Sequence, residues 1–157
     1  MTQAFREADI TDVNKGRCNC SALRRAARRV SLMYDRHLTG SGLTSGQYSI
    51  LAEIRRRGKV APTVSELAEA LVMDRAALTH TLKPLERDGL IALKVDPADR
   101  RARLVHVTGL GERKFAVAHG KWSKAQEQFA QSVGKKKAVA LRALLQLVGE
   151  IDLGEMN

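Results

Sequence analysis

The stretch from Thr63 to Thr108 constrains the fold more than any other part of the chain. It opens on a Thr-x-x-Glu box, Thr63 and Glu66, in which each side chain satisfies an amide left free at a helix start. Val64, Leu67, Ala68 and Leu71 follow at i, i+3, i+4 and i+7, the spacing of one buried helical face. Val72 and Met73 make a short turn, and Asp74 caps a second helix whose predicted inner set is Ala77, Leu78, Leu82 and Leu85. Pro84 removes the amide that would bond His80, so a bend is predicted there before Gly89 ends the helix. Alternation then replaces helical spacing. Ile91, Leu93 and Val95 alternate with Ala92 and Lys94, and Val105 and Val107 alternate with Leu104 and His106. The residues between, 96–103, begin with an Asp-Pro turn signal. A short helix, a tight turn and a second helix with a polar outer face make a helix-turn-helix, and a hairpin directly behind it is a wing.

The flanks are helical. Thr44 and Gln47 form another box, ahead of Tyr48, Leu51 and Ile54 on an inner face, and Arg55-Arg56-Arg57-Gly58 supplies a basic last turn and a stop. Upstream, from about Ser21, the residues Leu23, Ala27, Val30, Tyr34 and Leu38 make one apolar stripe. Downstream, Thr108 caps a long helix carrying Phe115, Trp122, Phe129 and Val133, and Gly134 breaks it. A last helix, from Lys135 to about Gly149, carries Leu141, Leu144, Leu145 and Val148 on one side, with Ile151 just beyond. The predicted class is mainly α with a small β-hairpin wing, a winged helix-turn-helix. The parts are a loose N-terminal arm at 1–17, a dimerisation helix at 18–42, the winged helix-turn-helix at 43–108, and C-terminal dimerisation helices at 109–157. The terminal stripes exceed what so small a core can bury, so they are expected to meet the same stripes in a second copy. A symmetric homodimer then presents two reading helices about 34 Å apart, one DNA turn.

Charge narrows the partner. Lys and Arg number 27 against 17 Asp and Glu, a formal net charge of +10 across 157 residues. Such an excess points to nucleic acid or an anionic membrane surface. The basic residues are spread over several elements instead of one amphipathic helix, which argues against the membrane. No apolar run has the length of a membrane span, and the N-terminus lacks a signal-peptide pattern, so a cytoplasmic location is expected. Aromatic residues make up 4% of the chain, too few for a protein that stacks single-stranded bases. The expected partner is therefore double-stranded DNA.

The polar face of the second helix holds Arg75, Ala76, Thr79, His80 and Lys83, and the N-terminal half of such a helix reaches base edges in the major groove. Lys83 is the expected phosphate contact. The wing turn holds Arg100, Arg101 and Arg103, expected at the minor groove, with Asp99 placed to brace them through a salt bridge. Ser45 and Ser65, near helix starts, are candidate phosphate contacts through hydroxyl and amide.

Other chemistries find less support. There is no glycine-rich phosphate loop, nucleophile elbow or metal set, so no enzyme, metal or cofactor is expected. The four histidines are scattered. Cys18 and Cys20 sit just before the first predicted helix, beside Arg17, Arg24 and Arg25, a setting that suits an oxidant-sensing regulator as an alternative reading. A Cys-x-Cys loop is short for an unstrained internal bond. A non-specific nucleic-acid binder acting through charge alone is the alternative of another class.

With these motifs placed, the chain resembles the MarR family of bacterial transcription regulators. The resemblance runs from about Cys20 to Gly149. It rests on the wing sequence Asp96-Pro97-Ala98-Asp99-Arg100-Arg101-Ala102-Arg103 with its following strand and Thr-x-x-Gly helix start, on Leu85-Glu86-Arg87-Asp88-Gly89-Leu90-Ile91, and on Gly42-Leu43-Thr44-Ser45-Gly46-Gln47-Tyr48. The resemblance implies a homodimer tied by its first and last helices and bound to a pseudo-palindromic operator, with an Asp99–Arg101 pair at the wing. It implies release by a small-molecule or oxidant signal, with ligands often aromatic acids or their conjugates such as CoA thioesters. The implied effector pocket lies near Arg28, Tyr34, His37, Tyr48 and Trp122.

Overall fold

Helix starts in the computed structural model, which describes residues 18–151, carry the caps their sequence offers. The order is α1 (Asn19–Leu38), α2 (Ser45–Arg56), α3 (Val64–Ala70), α4 (Arg75–Arg87), β1 (Ile91–Val95), β2 (Arg103–Val107), α5 (Gly109–Val133) and α6 (Lys135–Gly149). Thr44 and Gln47 exchange side-chain and backbone bonds at the head of α2, and Thr63 and Glu66 do the same for α3. Asp74 accepts from the Ala76 and Ala77 amides at 2.7 and 2.9 Å. Thr108 accepts from the Gly111 amide at 3.0 Å. Each such cap contributes about 1 kcal/mol. Gly134, ahead of α6, offers no side chain to do so.

The turn between α3 and α4 is closed by the Met73 amide donating to the Ala68 carbonyl at 2.8 Å and the Val72 amide to Glu69 at 3.0 Å. This Schellman pair requires a left-handed residue, and Val72 takes that place with φ +50°. A β-branched side chain pays about 1–2 kcal/mol for that conformation. The turn is kept tight all the same, because the three leucines Leu67, Leu78 and Leu82 behind it are fully buried. Truncating one of them to alanine costs about 2–5 kcal/mol.

The inner face of α4 is Leu78, Leu82 and Leu85. Ala77, expected with them, is exposed: it lies one residue and so about 100° around the helix from Leu78. The helix continues through Pro84 to Arg87 without interruption. The carbonyl that Pro84 leaves without its amide belongs to His80, whose exposed position lets water serve it. Cys20 stands within the first turn of α1 and Cys18 just before it, so only one of the two precedes the helix.

β1 and β2 pair antiparallel, Ile91 opposite Val107 and Val95 opposite Arg103. The other edge of β2 is also engaged. Val105 donates to the Pro62 carbonyl at 2.8 Å, and Thr63 bridges to Leu104. The segment before α3 thus stiffens the wing from behind. Gly111 brings α5 against the hairpin base: a side-chain carbon there would run into the Leu90 carbonyl and the Val107 methyl.

The chain divides into two units, 1–33 and 34–157. In the first, the described part is the beginning of α1, where Leu23 and Leu32 are exposed. The second holds the core just described. There Leu141, Leu144, Leu145 and Val148 of α6, and Ile151 just beyond it, are exposed. The predicted arm at 1–17 lies outside the described residues. Among the described residues no helix is long and apolar enough to cross a membrane.

Candidate nucleic-acid interface

Three elements meet in one cleft of about 310 Å³. The start of α3 brings Thr63 and Ser65, the start of α4 brings Arg75, and the wing brings Asp96, Asp99, Arg101 and Arg103. Five residues singled out from the sequence, Ser65, Arg75, Asp99, Arg101 and Arg103, are therefore neighbours although 38 positions separate the first from the last. On α4, Ala76, Thr79, His80 and Lys83 are exposed and continue this surface along the helix. The hydroxyl of Thr79 donates to the Arg75 carbonyl at 2.8 Å.

The wing turn holds its shape through backbone bonds. Asp99 accepts from the Arg101 amide at 2.9 Å through its carboxylate, and its carbonyl accepts from Ala102 at 2.9 Å. The expected Asp99 salt bridge is not formed among the described residues. A carboxylate two residues ahead of an amide closes an Asx turn first, and that leaves the Arg101 guanidinium free to point outward. Arg103 folds back and donates from Nη1 to the carbonyls of Arg100 at 3.2 Å and Ala102 at 3.3 Å. Arg103 thus stiffens the turn, while Arg100 and Arg101 offer their charge to a ligand. Asp96 adds a second Asx bond, accepting from Ala98 at 2.9 Å.

Ser45 stands apart from this cleft. Its amide donates to the Asp35 carboxylate at 2.6 Å, so only its hydroxyl is left for a phosphate.

The residues implied for an effector pocket are partly brought together. Tyr48 on α2 stacks on Trp122 of α5 with ring centres 5.5 Å apart. Two residues outside the implied pocket set complete the group. Phe115 lies 4.9 Å from the Tyr48 ring and nearly parallel to it, and His119 Nδ1 is 2.7 Å from the Tyr48 hydroxyl. The Arg55 guanidinium covers the outer face of Phe115 at 4.3 Å and donates to Glu112 at 2.8 Å. Burial pushes the Tyr48 phenol above its ordinary pKa, and the Arg55 charge pulls the other way. Phe115, His119 and Trp122 recur at i, i+4 and i+7, a helical face on which His119 could have been recognised. Tyr34 and His37 stand in the last turns of α1, partly buried. Burial raises the Tyr34 pKa, opposed by Arg142. Arg28 is exposed in the first unit. Cys18 and Cys20 are free thiols, both exposed.

A helix-turn-helix whose second helix opens beside a basic, backbone-braced hairpin defines a winged-helix DNA-binding protein. The chain belongs to the MarR family. The family's profile matches residues 41–102. The transcriptional regulator HosA of Escherichia coli O111:H- is 32% identical over 108 residues, 68% of this chain and 75% of HosA. BadR, a transcriptional activatory protein of Rhodopseudomonas palustris, is 35% identical over 88 residues, 52% of this chain, but the match spans only 47% of BadR. Among solved structures, the M. tuberculosis transcriptional regulator MosR is 32% identical with a TM-score of 0.71, covering 85% of this chain and 97% of MosR. MosR in complex with DNA gives a TM-score of 0.70 at the same identity, over 86% of this chain and the whole of MosR.

Proposed function

We propose that this protein is a homodimeric, sequence-specific regulator that occupies a pseudo-palindromic operator as a repressor and leaves it when a small molecule binds. The observation that carries the reading is the cleft in which Arg75 of α4, Ser65 of α3 and the wing arginines converge. Arg75 and the exposed face of α4 suit base edges in the major groove, and Arg100 and Arg101 suit the phosphate-lined minor groove. Ser65, Lys83 and the Ser45 hydroxyl are read as phosphate contacts. The likeness to MosR, solved with DNA, supports the same use of this face. Dimerisation is read from the exposed leucines of α6 and of early α1, which a second copy would cover. A soluble regulator of this kind works in the cytoplasm and needs no catalytic machinery.

For the effector we propose an aromatic acid or its CoA thioester. Tyr48 and Trp122 would supply ring faces, with Arg28, Tyr34 and His37 as the further candidates named from the sequence. The test is a titration of the DNA complex with benzoate-type acids and acyl-CoA thioesters, with and without reductant. Release by an acid or thioester supports the reading. Release by oxidant alone assigns the signal to Cys18 and Cys20 instead. Binding that only fades with salt, with no preferred sequence, leaves a non-specific nucleic-acid binder.

A further inference from the structure

A second cleft lies on the opposite edge of β2 from β1, where α2 ends beside the start of α5. Its volume is about 150 Å³, well under the 300 Å³ or so at which sites for drug-sized molecules begin. Ile54 and Val105, both buried, form its floor. Arg55, Lys59, His106 and Glu112 form its walls. Two positive side chains and an imidazole thus face one carboxylate.

The guanidinium of Arg55 is already positioned. The face of Phe115 supports it at 4.3 Å, and its Nε donates to Glu112 at 2.8 Å. Among the described residues its two terminal nitrogens have no protein acceptor, and neither has the Lys59 ammonium. Glu112 therefore acts as an internal anion that satisfies one edge of the guanidinium and leaves the other open. The pair is half exposed, with side-chain accessibilities of 44% and 46%, so its own attraction is weak and displaceable. The cleft also borders the N-terminal turn of α5, a 25-residue helix, whose dipole favours negative charge.

We propose that this cleft is a small-oxyanion site, separate from the DNA face, that binds inorganic phosphate or an ion of like size and charge. The ion takes the open edge of Arg55 and the Lys59 ammonium, with His106 as a further donor. Glu112 is the competitor that keeps affinity low. The inference does not depend on the proposed operator binding.

The test is an NMR titration of the full chain with sodium phosphate, replacing chloride at constant ionic strength and pH. The expected result is saturable shifts of the His106 ring and of the Gly58 and Lys59 amides. Lys59→Gln, on an exposed loop outside the core, is expected to weaken binding about threefold. Glu112→Gln, which frees Arg55, is expected to tighten it about threefold. A role in structure alone would give no gain on removing Glu112. Shifts that do not saturate, shifts confined to Arg75 and the wing, or an unchanged affinity in Lys59→Gln would overturn the proposal.

Discussion

Replacing Arg101 with alanine tests the wing directly. Arg101 is exposed and its backbone amide, not its guanidinium, holds the turn. The substitution therefore removes a charge and leaves the hairpin standing. A charge-assisted hydrogen bond contributes about 1.5–3 kcal/mol, so each wing loses at least about tenfold in affinity. In a dimer two distant wings add, to about 3 kcal/mol or roughly 150-fold in Kd. The salt dependence should change as well. Two lost phosphate neutralisations lower the slope of log affinity against log salt by about 2. Asp99 supplies the control. Asp99→Asn keeps an oxygen acceptor for the Arg101 amide and removes a negative charge facing DNA, so binding should be equal or tighter. Asp99→Ala loses the acceptor and loosens the turn, so it should bind several-fold more weakly than Asp99→Asn. Fluorescence anisotropy on one operator duplex at several salt concentrations measures all three. If Arg101→Ala leaves both Kd and slope unchanged, the wing does not touch DNA and the reasoning fails.

Three further outcomes follow from the geometry. Gly111→Ala forces a side-chain carbon into the Leu90 carbonyl, and backbone yields less readily than a side chain; a loss of about 3 kcal/mol in urea unfolding is expected, at the upper end of overpacking costs. Tyr48→Phe keeps the ring stack but removes the bond with His119, which should cost about 1 kcal/mol and lower Tm by about 2–4 °C in a calorimetric scan. Bonds from the Thr63 amide and hydroxyl hold the Glu66 carboxyl below its ordinary pKa of 4.5. The contribution of Glu66 is thus complete above that value and is lost as pH falls through the lowered folded one. Glu66→Gln should accordingly be less stable than the parent at pH 7, and the two should converge as pH falls through the lowered value, in denaturant titrations.

What could be read from the sequence was local. Thr44 with Gln47, Thr63 with Glu66, Asp74 and Thr108 each declare a helix start within four residues, and all four caps form as read. Alternation in 91–95 and 104–107 marks both strands, and the second begins one residue earlier, at Arg103. The less legible features depend on elements that meet only in the folded chain. Tyr48 and His119 are 71 positions apart, and their bond is fixed by how α2 docks on α5, which periodicity does not encode. Pro62 pairing with Val105 has the same origin. Asp99 meets Arg101 through the backbone amide and not through a salt bridge, because the nearer amide competes more effectively for the carboxylate. Ser65, Arg75 and Arg101 are each legible as separate candidate contacts, but their meeting in one cleft and the back-folding of Arg103 depend on how α3, α4 and the wing pack.

The most direct test of the central claim is selection of DNA from a random pool by the purified protein, followed by titration of the recovered site and measurement of stoichiometry. A pseudo-palindrome with half-sites about one helical turn apart, bound by two chains, is the expected result. Recovery of no preferred sequence, with affinity set by salt alone, would contradict the account.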